Sequence, residues 1–175
     1  MHTLILGGIK SGKSRLAESL AGCADGENVL FIATATESDA EMRERIRQHR
    51  KSRPAHWTVV EEPLAIADVI QKQSVQHHCV VVDCLTMWLT NLLLCDDAAQ
   101  FSRQRTDLIA ALAESISPVI LVSNEINMGV VPMGELSRRF CDEAGLLHPE
   151  LTDICDNVVL TIAGIPTYLK GSIGD

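Results

Sequence analysis

Along this chain, short aliphatic runs that are apolar at nearly every position alternate with longer segments in which apolar residues return every three or four positions. The runs Thr3–Leu6, Val29–Ala33, Trp57–Glu61, Cys79–Asp83, Val119–Ser123 and Val158–Ile162 predict strands. Several lack the apolar/polar alternation of a half-solvated strand, which points to a sheet covered on both faces. Helical spacing predicts helices over Gly12–Gly22, Ala40–Lys51, Pro63–Gln73, Leu85–Cys95, Phe101–Ser115 and Gly134–Leu147. Pro63 suits a first helical turn, and Pro149 is expected to interrupt any continuation towards Asp156. Strands separated by helices predict an α/β fold, a mainly parallel sheet flanked by helices. With 175 residues and no repeat, low-complexity stretch or linker, one domain over residues 1–175 is expected.

The first strand runs into Gly7-Gly8-Ile9-Lys10-Ser11-Gly12-Lys13-Ser14, which fits G-x-x-x-x-G-K-[ST] and opens a helix. That context turns a short pattern into a phosphate loop: backbone N–H groups and the helix N-terminus cradle phosphate oxygens. Lys13 is expected to reach the β- and γ-phosphates, and Ser14 to ligate Mg²⁺. Phosphate-loop enzymes bring a second carboxylate to the metal from the end of another strand. Asp83, closing "CVVVD", is the candidate for it; capping the following helix is the other role open to it.

Composition narrows what the nucleotide is for. A net charge of −8 and an aromatic content of 3% disfavour a nucleic-acid groove or an anionic membrane surface as partner. The six cysteines form no C-x-x-C pair, so buried thiols in a reducing compartment are expected. No apolar run reaches the roughly 18 residues of a membrane span. The N-terminus enters a strand without a signal-peptide pattern, so a cytoplasmic protein is expected. A regulatory GTPase would carry glycine three residues past Asp83, and an N-K-x-D run. Thr86 stands at the first position, and Ser123-Asn124-Glu125-Ile126 lacks the lysine and aspartate. Transfer of part of the nucleotide to a small acceptor is what remains.

The segment "EMRERIRQHRKSRPAHW" concentrates six of the 15 cationic side chains between Arg43 and Arg53. At about 100° per residue, Met42, Ile46 and His49 share one helix face. Two readings stand. The segment is a solvated amphipathic helix with an incidental histidine, or His49 is a nucleophile that carries a nucleotidyl group as a phosphoramidate among cations that hold the triphosphate. His2, His77 and His78 flank strands, and His56 beside Trp57 reads as packing.

These residues resemble the bifunctional adenosylcobinamide kinase / adenosylcobinamide-phosphate guanylyltransferase family. The likeness covers nearly the whole chain, through "GGIKSGKSRLAE", "FIATA", "EMRERIRQHRKSRPAHWTVVEEP", "VVVDCLTMWLTNLL", "LVSNEINMGVVP", "RRFCDEAG" and "AGIP". The resemblance implies a RecA-like phosphate-loop NTPase fold, a homotrimer, phosphorylation of adenosylcobinamide with ATP or GTP, and transfer of GMP from GTP to that phosphate. It implies His49 as the guanylylated residue, and Ala33, Thr34, Ala35, Arg50, Lys51, Ser52, Arg53, Glu61 and Asp83 as nucleotide contacts beside the loop. Two departures from the family pattern stand out: His148-Pro149 lies in the late helix where the family commonly carries Asn-Gln, and Asp83 replaces a frequent glutamate. A kinase lacking the covalent step and a nucleotide sensor without turnover are the competing readings. The loop and helix start at Asn127–Phe140, marked by Gly129, Pro132 and Gly134, are a candidate surface for the corrinoid acceptor.

Overall fold

The computed structural model describes residues 1–23, 28–36, 43 and 54–172. Its elements run β1 (Thr3–Gly7), α1 (Lys13–Cys23), β2 (Val29–Ala33), β3 (Thr58–Glu61), α2 (Ile66–Gln73), β4 (Cys79–Asp83), α3 (Leu85–Leu94), α4 (Ala98–Glu114), β5 (Val119–Asn124), α5 (Glu135–Ile154), β6 (Asn157–Ile162) and β7 (Ile165–Lys170). The seven strands form one sheet in the order β3-β2-β4-β5-β1-β6-β7. All neighbours are parallel except β6 and β7.

Strand parity divides the core in two. Leu4, Leu30, Val80 and Leu121 point to the face covered by α2 to α5, where Trp88 is fully buried. Ile5, Phe31, Val81 and Val122 point to the other face, against Ala17 and Ala21 of α1 and the buried Trp57. Trp57 stacks on Phe31 with ring centroids 6.2 Å apart. Each large side chain fully buried in this way contributes roughly 1.5–3 kcal/mol. Trp88 also donates its indole N–H to the Leu64 carbonyl at 2.7 Å, so its polar atom is satisfied.

Element boundaries depart from expectation for local reasons. The helix anticipated from Pro63 begins at Ile66. Ahead of it, the Glu62 carboxylate accepts from the N–H groups of Leu64 and Ala65, and the Pro63 carbonyl accepts from Asn91. These bonds hold the segment as a turn. α4 starts at Ala98 because Asp97 caps it, accepting from Ala99 and Gln100. His56 is exposed and only Trp57 enters the core. Among the described residues, Cys79 and Cys155 are buried, Cys84 and Cys141 half-buried, and Cys95 exposed, all as free thiols. Arg43 is helical; the rest of the expected helix over Ala40–Lys51 lies outside the described residues.

Pro149 does not stop the late helix, which runs to Ile154. Proline removes the hydrogen bond to the carbonyl four residues earlier, here Gly145. Gly145 and Pro149 are both exposed, so the freed carbonyl lies on the solvent side of the helix, while Leu147 and Leu151 hold the opposite side in the core. β7 had no continuous apolar run to announce it. It is an edge strand, mostly exposed, with Pro166 near its start, where proline is tolerated. Pro149→Ala is expected to stabilise the chain by about 1–3 kcal/mol, the interior-proline penalty; a rise in the urea midpoint checks this.

Candidate active site

Parallel strands deliver their C-terminal ends to one edge, and the expected chemistry gathers there. Register places Glu61 beside Ala33, Ala33 beside Asp83, and Asp83 beside Val122; Gly7 pairs with Asn124 at the same edge. This is where an open α/β sheet receives its ligand.

The loop between β1 and α1 is braced from behind by β6 and its turn. Ser11 donates its hydroxyl to Thr161 Oγ1 at 2.8 Å, because the Thr161 proton is committed to the Leu6 carbonyl at 3.1 Å. The turn residue Gly164 donates its N–H to the Ser11 carbonyl at 2.9 Å. Ala163 and Gly164 both have positive φ, 52° and 82°, giving the tight hairpin that brings the turn against the loop. A Cβ on Gly7 would lie 2.4 Å from Thr161 Oγ1 and 2.6 Å from Ser11 Oγ. Gly12, at φ +100°, comes against Gly164 in turn.

Lys13 is buried, and its ammonium donates to the carbonyls of Gly7 at 3.0 Å and Gly8 at 2.7 Å. Burial lowers its pKa, opposed by the neighbouring Cys84 and Asp83. Ser14 is half-buried in the first turn of α1. Asp83 shares the strand parity of Val81, on the α1 side, so its carboxylate is on the same face as the loop. The N-cap of α3 is Cys84 and no side chain caps that helix, so capping is not the role of Asp83. The Asp83–Cys84 peptide is cis.

Thr34 is fully buried. Its hydroxyl donates to the Cys84 carbonyl at 2.7 Å and accepts from the Cys84 N–H at 2.9 Å, tying the tips of β2 and β4 together. Its own carbonyl accepts from Asn91. Thr34 thus fastens the site edge with its side chain, between the half-buried Ala33 and Ala35. Glu61 is exposed at the end of β3. His49, Arg50, Lys51, Ser52 and Arg53 lie outside the described residues.

Two groups at this edge carried no sequence signal. Thr161 reads in sequence as an ordinary β-former. Beyond β5, Glu125 donates its N–H to the Gly7 carbonyl at 3.0 Å, and Glu125 Oε1 accepts from the Asn127 N–H at 2.7 Å. Glu125 Oε2 lies 3.9 Å from Nδ1 of His148, whose Nε2 meets Ser123 Oγ at 2.9 Å. Burial lowers the pKa of His148, and Glu125 opposes that shift. Beside this cluster the loop 127–134 carries Val130 and Met133 at 94% and 97% exposure. Asn127 and Arg138 hold that loop, donating to the Cys141 carbonyl and to the Pro132 and Met133 carbonyls.

Among the described residues there is no cluster of three or more His, Cys, Asp or Glu side chains suited to a metal. A phosphate-bound Mg²⁺ needs none, since it takes one or two protein oxygens plus phosphate and water. The half-buried Ser14 hydroxyl and the Asp83 carboxylate fit that demand. Among the described residues no helix is long and apolar enough to cross a membrane.

A strand, a glycine-rich loop and a helix, braced against a mainly parallel sheet with an acidic strand tip beside the loop, define a phosphate-loop nucleotide-binding protein of the RecA-like kind. Solved structures of that architecture agree in fold alone. The flagellar accessory protein FlaH from Methanocaldococcus jannaschii superposes with a TM-score of 0.55 at 12% identity, covering 98% of this chain and 79% of that one. The KaiC-like protein PH0186 from Pyrococcus horikoshii gives 0.50 at 16% identity, with 91% and 69% covered. Sequence is more specific: residues 3–169 match the profile of the cobinamide kinase / cobinamide phosphate guanyltransferase family, and the chain belongs to that family. It is 53% identical over 171 residues to the bifunctional adenosylcobalamin biosynthesis protein CobP of Pseudomonas aeruginosa, covering 98% of each chain. It is 37% identical to the bifunctional adenosylcobalamin biosynthesis protein CobU of Escherichia coli K12, covering 97% of this chain and 100% of that one.

Gly7→Ala is expected to abolish binding of a fluorescent GTP analogue and to lower the melting temperature, because the added methyl collides with backbone as well as hydroxyls. Nucleotide affinity within about 3-fold of wild type, about 0.6 kcal/mol, would contradict this account of the loop.

Proposed function

We propose that this chain phosphorylates the hydroxyl of adenosylcobinamide with ATP or GTP and then joins GMP from GTP to that phosphate, giving adenosylcobinamide-GDP and pyrophosphate. The observation that carries the proposal is the braced phosphate loop, with Lys13 and Asp83 on one face, in a chain matching the family from residue 3 to 169. Relatives named as bifunctional proteins of adenosylcobalamin biosynthesis support two activities over two competing readings, a kinase without nucleotidyl transfer and a sensor without turnover.

In the kinase step the loop N–H groups and Lys13 hold the β- and γ-phosphates, and Ser14 with Asp83 would hold Mg²⁺. When bound, the metal would supply charge neutralisation. Lys13, taken from the loop carbonyls by a phosphate, offers its ammonium to oxygens on which charge develops. In the transfer step the His49 imidazole attacks the α-phosphorus of GTP. An N–P bond forms as the bond to pyrophosphate breaks; the corrinoid phosphate oxygen then displaces histidine. Arg50, Lys51, Ser52 and Arg53 contact the triphosphate, with Ala33, Ala35 and Glu61 completing the nucleotide contacts along the strand ends that the buried Thr34 holds in place. One domain over 1–175 serves both steps, in a cytoplasmic homotrimer whose active sites lie near subunit boundaries.

The exposed apolar loop at Met128–Met133 is our acceptor surface, since it follows closely on Glu125, whose N–H is bonded to the Gly7 carbonyl of the phosphate loop. On this reading Asn127 and Arg138 shape the loop, and its apolar side chains meet the corrinoid. Val130→Asp is expected to raise the KM for adenosylcobinamide by about 10-fold, about 1.4 kcal/mol of lost contact, with the nucleotide KM unchanged. An unchanged corrinoid KM removes the loop from the acceptor site.

The two-activity scheme is tested with GTP labelled at the α-phosphate. Wild type is expected to acquire acid-labile, base-stable label, and His49→Ala to lose it while still phosphorylating adenosylcobinamide. Product formation by wild type with no nucleotide ever bonded to the protein overturns the covalent route.

A further inference from the structure

Besides Asp83 and Glu61, the site edge holds a carboxylate that has no task in either transfer step. Glu125 follows β5, the strand lying between β1 with its phosphate loop and β4 with Asp83. Its N–H bond to Gly7 fixes its backbone beside the first glycine of the loop. Its carboxylate is 16% exposed. A carboxylate withdrawn from water this far demands compensation, and it receives less than a structural ion pair provides. One oxygen takes the Asn127 N–H; the other faces an imidazole nitrogen at 3.9 Å, beyond hydrogen-bond length. Among the described residues no lysine or arginine pairs with it. A carboxylate accepts at about four positions, and two contacts leave acceptor capacity open.

His148 orients what is there. Its Nδ1 looks at an anion, so the favoured tautomer carries the proton on Nδ1. Nε2 is then an acceptor, and Ser123 donates to it. Strand parity makes this possible: Ser123 follows Val119 and Leu121 onto the face covered by α5, where His148 is 7% exposed. Asp83 follows the other parity, towards α1 and Lys13. The two carboxylates therefore flank the strand ends from opposite faces, Asp83 on the nucleotide side and Glu125 on the side of the exposed loop.

We propose that Glu125 takes the proton from the acceptor hydroxyl in phosphoryl transfer, and that Ser123 and His148 are positioning residues that aim it. The inference rests on the kinase reading above. In the step, the acceptor oxygen forms a bond to the γ-phosphorus as the bond from that phosphorus to the bridging oxygen breaks, leaving nucleoside diphosphate. The hydroxyl O–H breaks and its proton passes to Glu125, which returns it to solvent after product leaves. Guanylyl transfer presents an ionised phosphate as nucleophile and has no hydroxyl proton to remove, so it does not call on Glu125.

The experiment uses the full chain and assays the two half-reactions apart: phosphate transfer from γ-labelled ATP to adenosylcobinamide, and pyrophosphate release from GTP with adenosylcobinamide phosphate supplied. Glu125→Gln keeps shape and removes the base. It is expected to lower the kinase kcat by about 100-fold or more, with the ATP KM and pyrophosphate release near wild type. His148→Leu is expected to lower the kinase kcat by about 10-fold, and His148→Gln, which can still accept from Ser123 and donate to Glu125, to restore it to within about 3-fold. A kinase kcat within about 3-fold of wild type in Glu125→Gln overturns the proposal while leaving the function intact. Equal loss of both half-reactions overturns it too, as that reports a damaged nucleotide site. His148→Gln as slow as His148→Leu removes His148 from the role. Wild type that phosphorylates no cobinamide fails the function itself, a distinguishable result.

Discussion

The phosphate loop depends on a contact made about 150 residues away in sequence: Thr161 presses so close to Gly7 that no side chain fits between them. A glycine-rich loop left to itself has many conformations, and ordering it costs roughly 1–2 kcal/mol per residue. Here the hydroxyl relay from Ser11 through Thr161 to the Leu6 carbonyl, and the N–H from Gly164, supply that order from the last hairpin of the chain. The edge strand β7 exists to make that hairpin possible. What looks like a C-terminal appendage is the back wall of the nucleotide site.

Strand parity does the remaining organising. Successive side chains leave opposite faces of a strand, so each strand that ends at the site offers chemistry to the face its last residues select. Asp83 is delivered to α1 and the loop; Ser123 is delivered to α5, and Glu125 is fixed beyond it. Shifting either residue by one position would exchange the faces. Thr34 and Asn91 then hold the separate tips at a fixed spacing, because a strand end without such bonds frays.

Much of this was legible beforehand because it is local. Continuous apolar runs located β1, β2, β4 and β5 to within a residue at each end, and the loop motif named its own residues. The departures share a cause: tertiary contacts that no window of sequence contains. Pro63 looked like a helix start until Asn91 and Trp88 claimed the carbonyls around it. Pro149 looked like a stop, yet it sits on the watered side of a helix whose other side is buried. Thr161 gave no signal, and His148 stood out only as a departure from the family pattern, because their partners, Ser11 and Ser123, are far away in the chain. Thr34 was marked by resemblance as a nucleotide contact, and its side chain proves to be occupied with Cys84.

The edge of the sheet is guarded against further strands. The outer rim at β7 carries Pro166, which has no N–H to offer, and Lys170, a charge at its end whose ammonium reaches back to the Thr152 carbonyl. Such rims resist extension by a foreign strand. Extension of the backbone ladder at this edge by another chain is thereby penalised, so any contact made at this rim rests on side chains, whose shape and charge choose the neighbour.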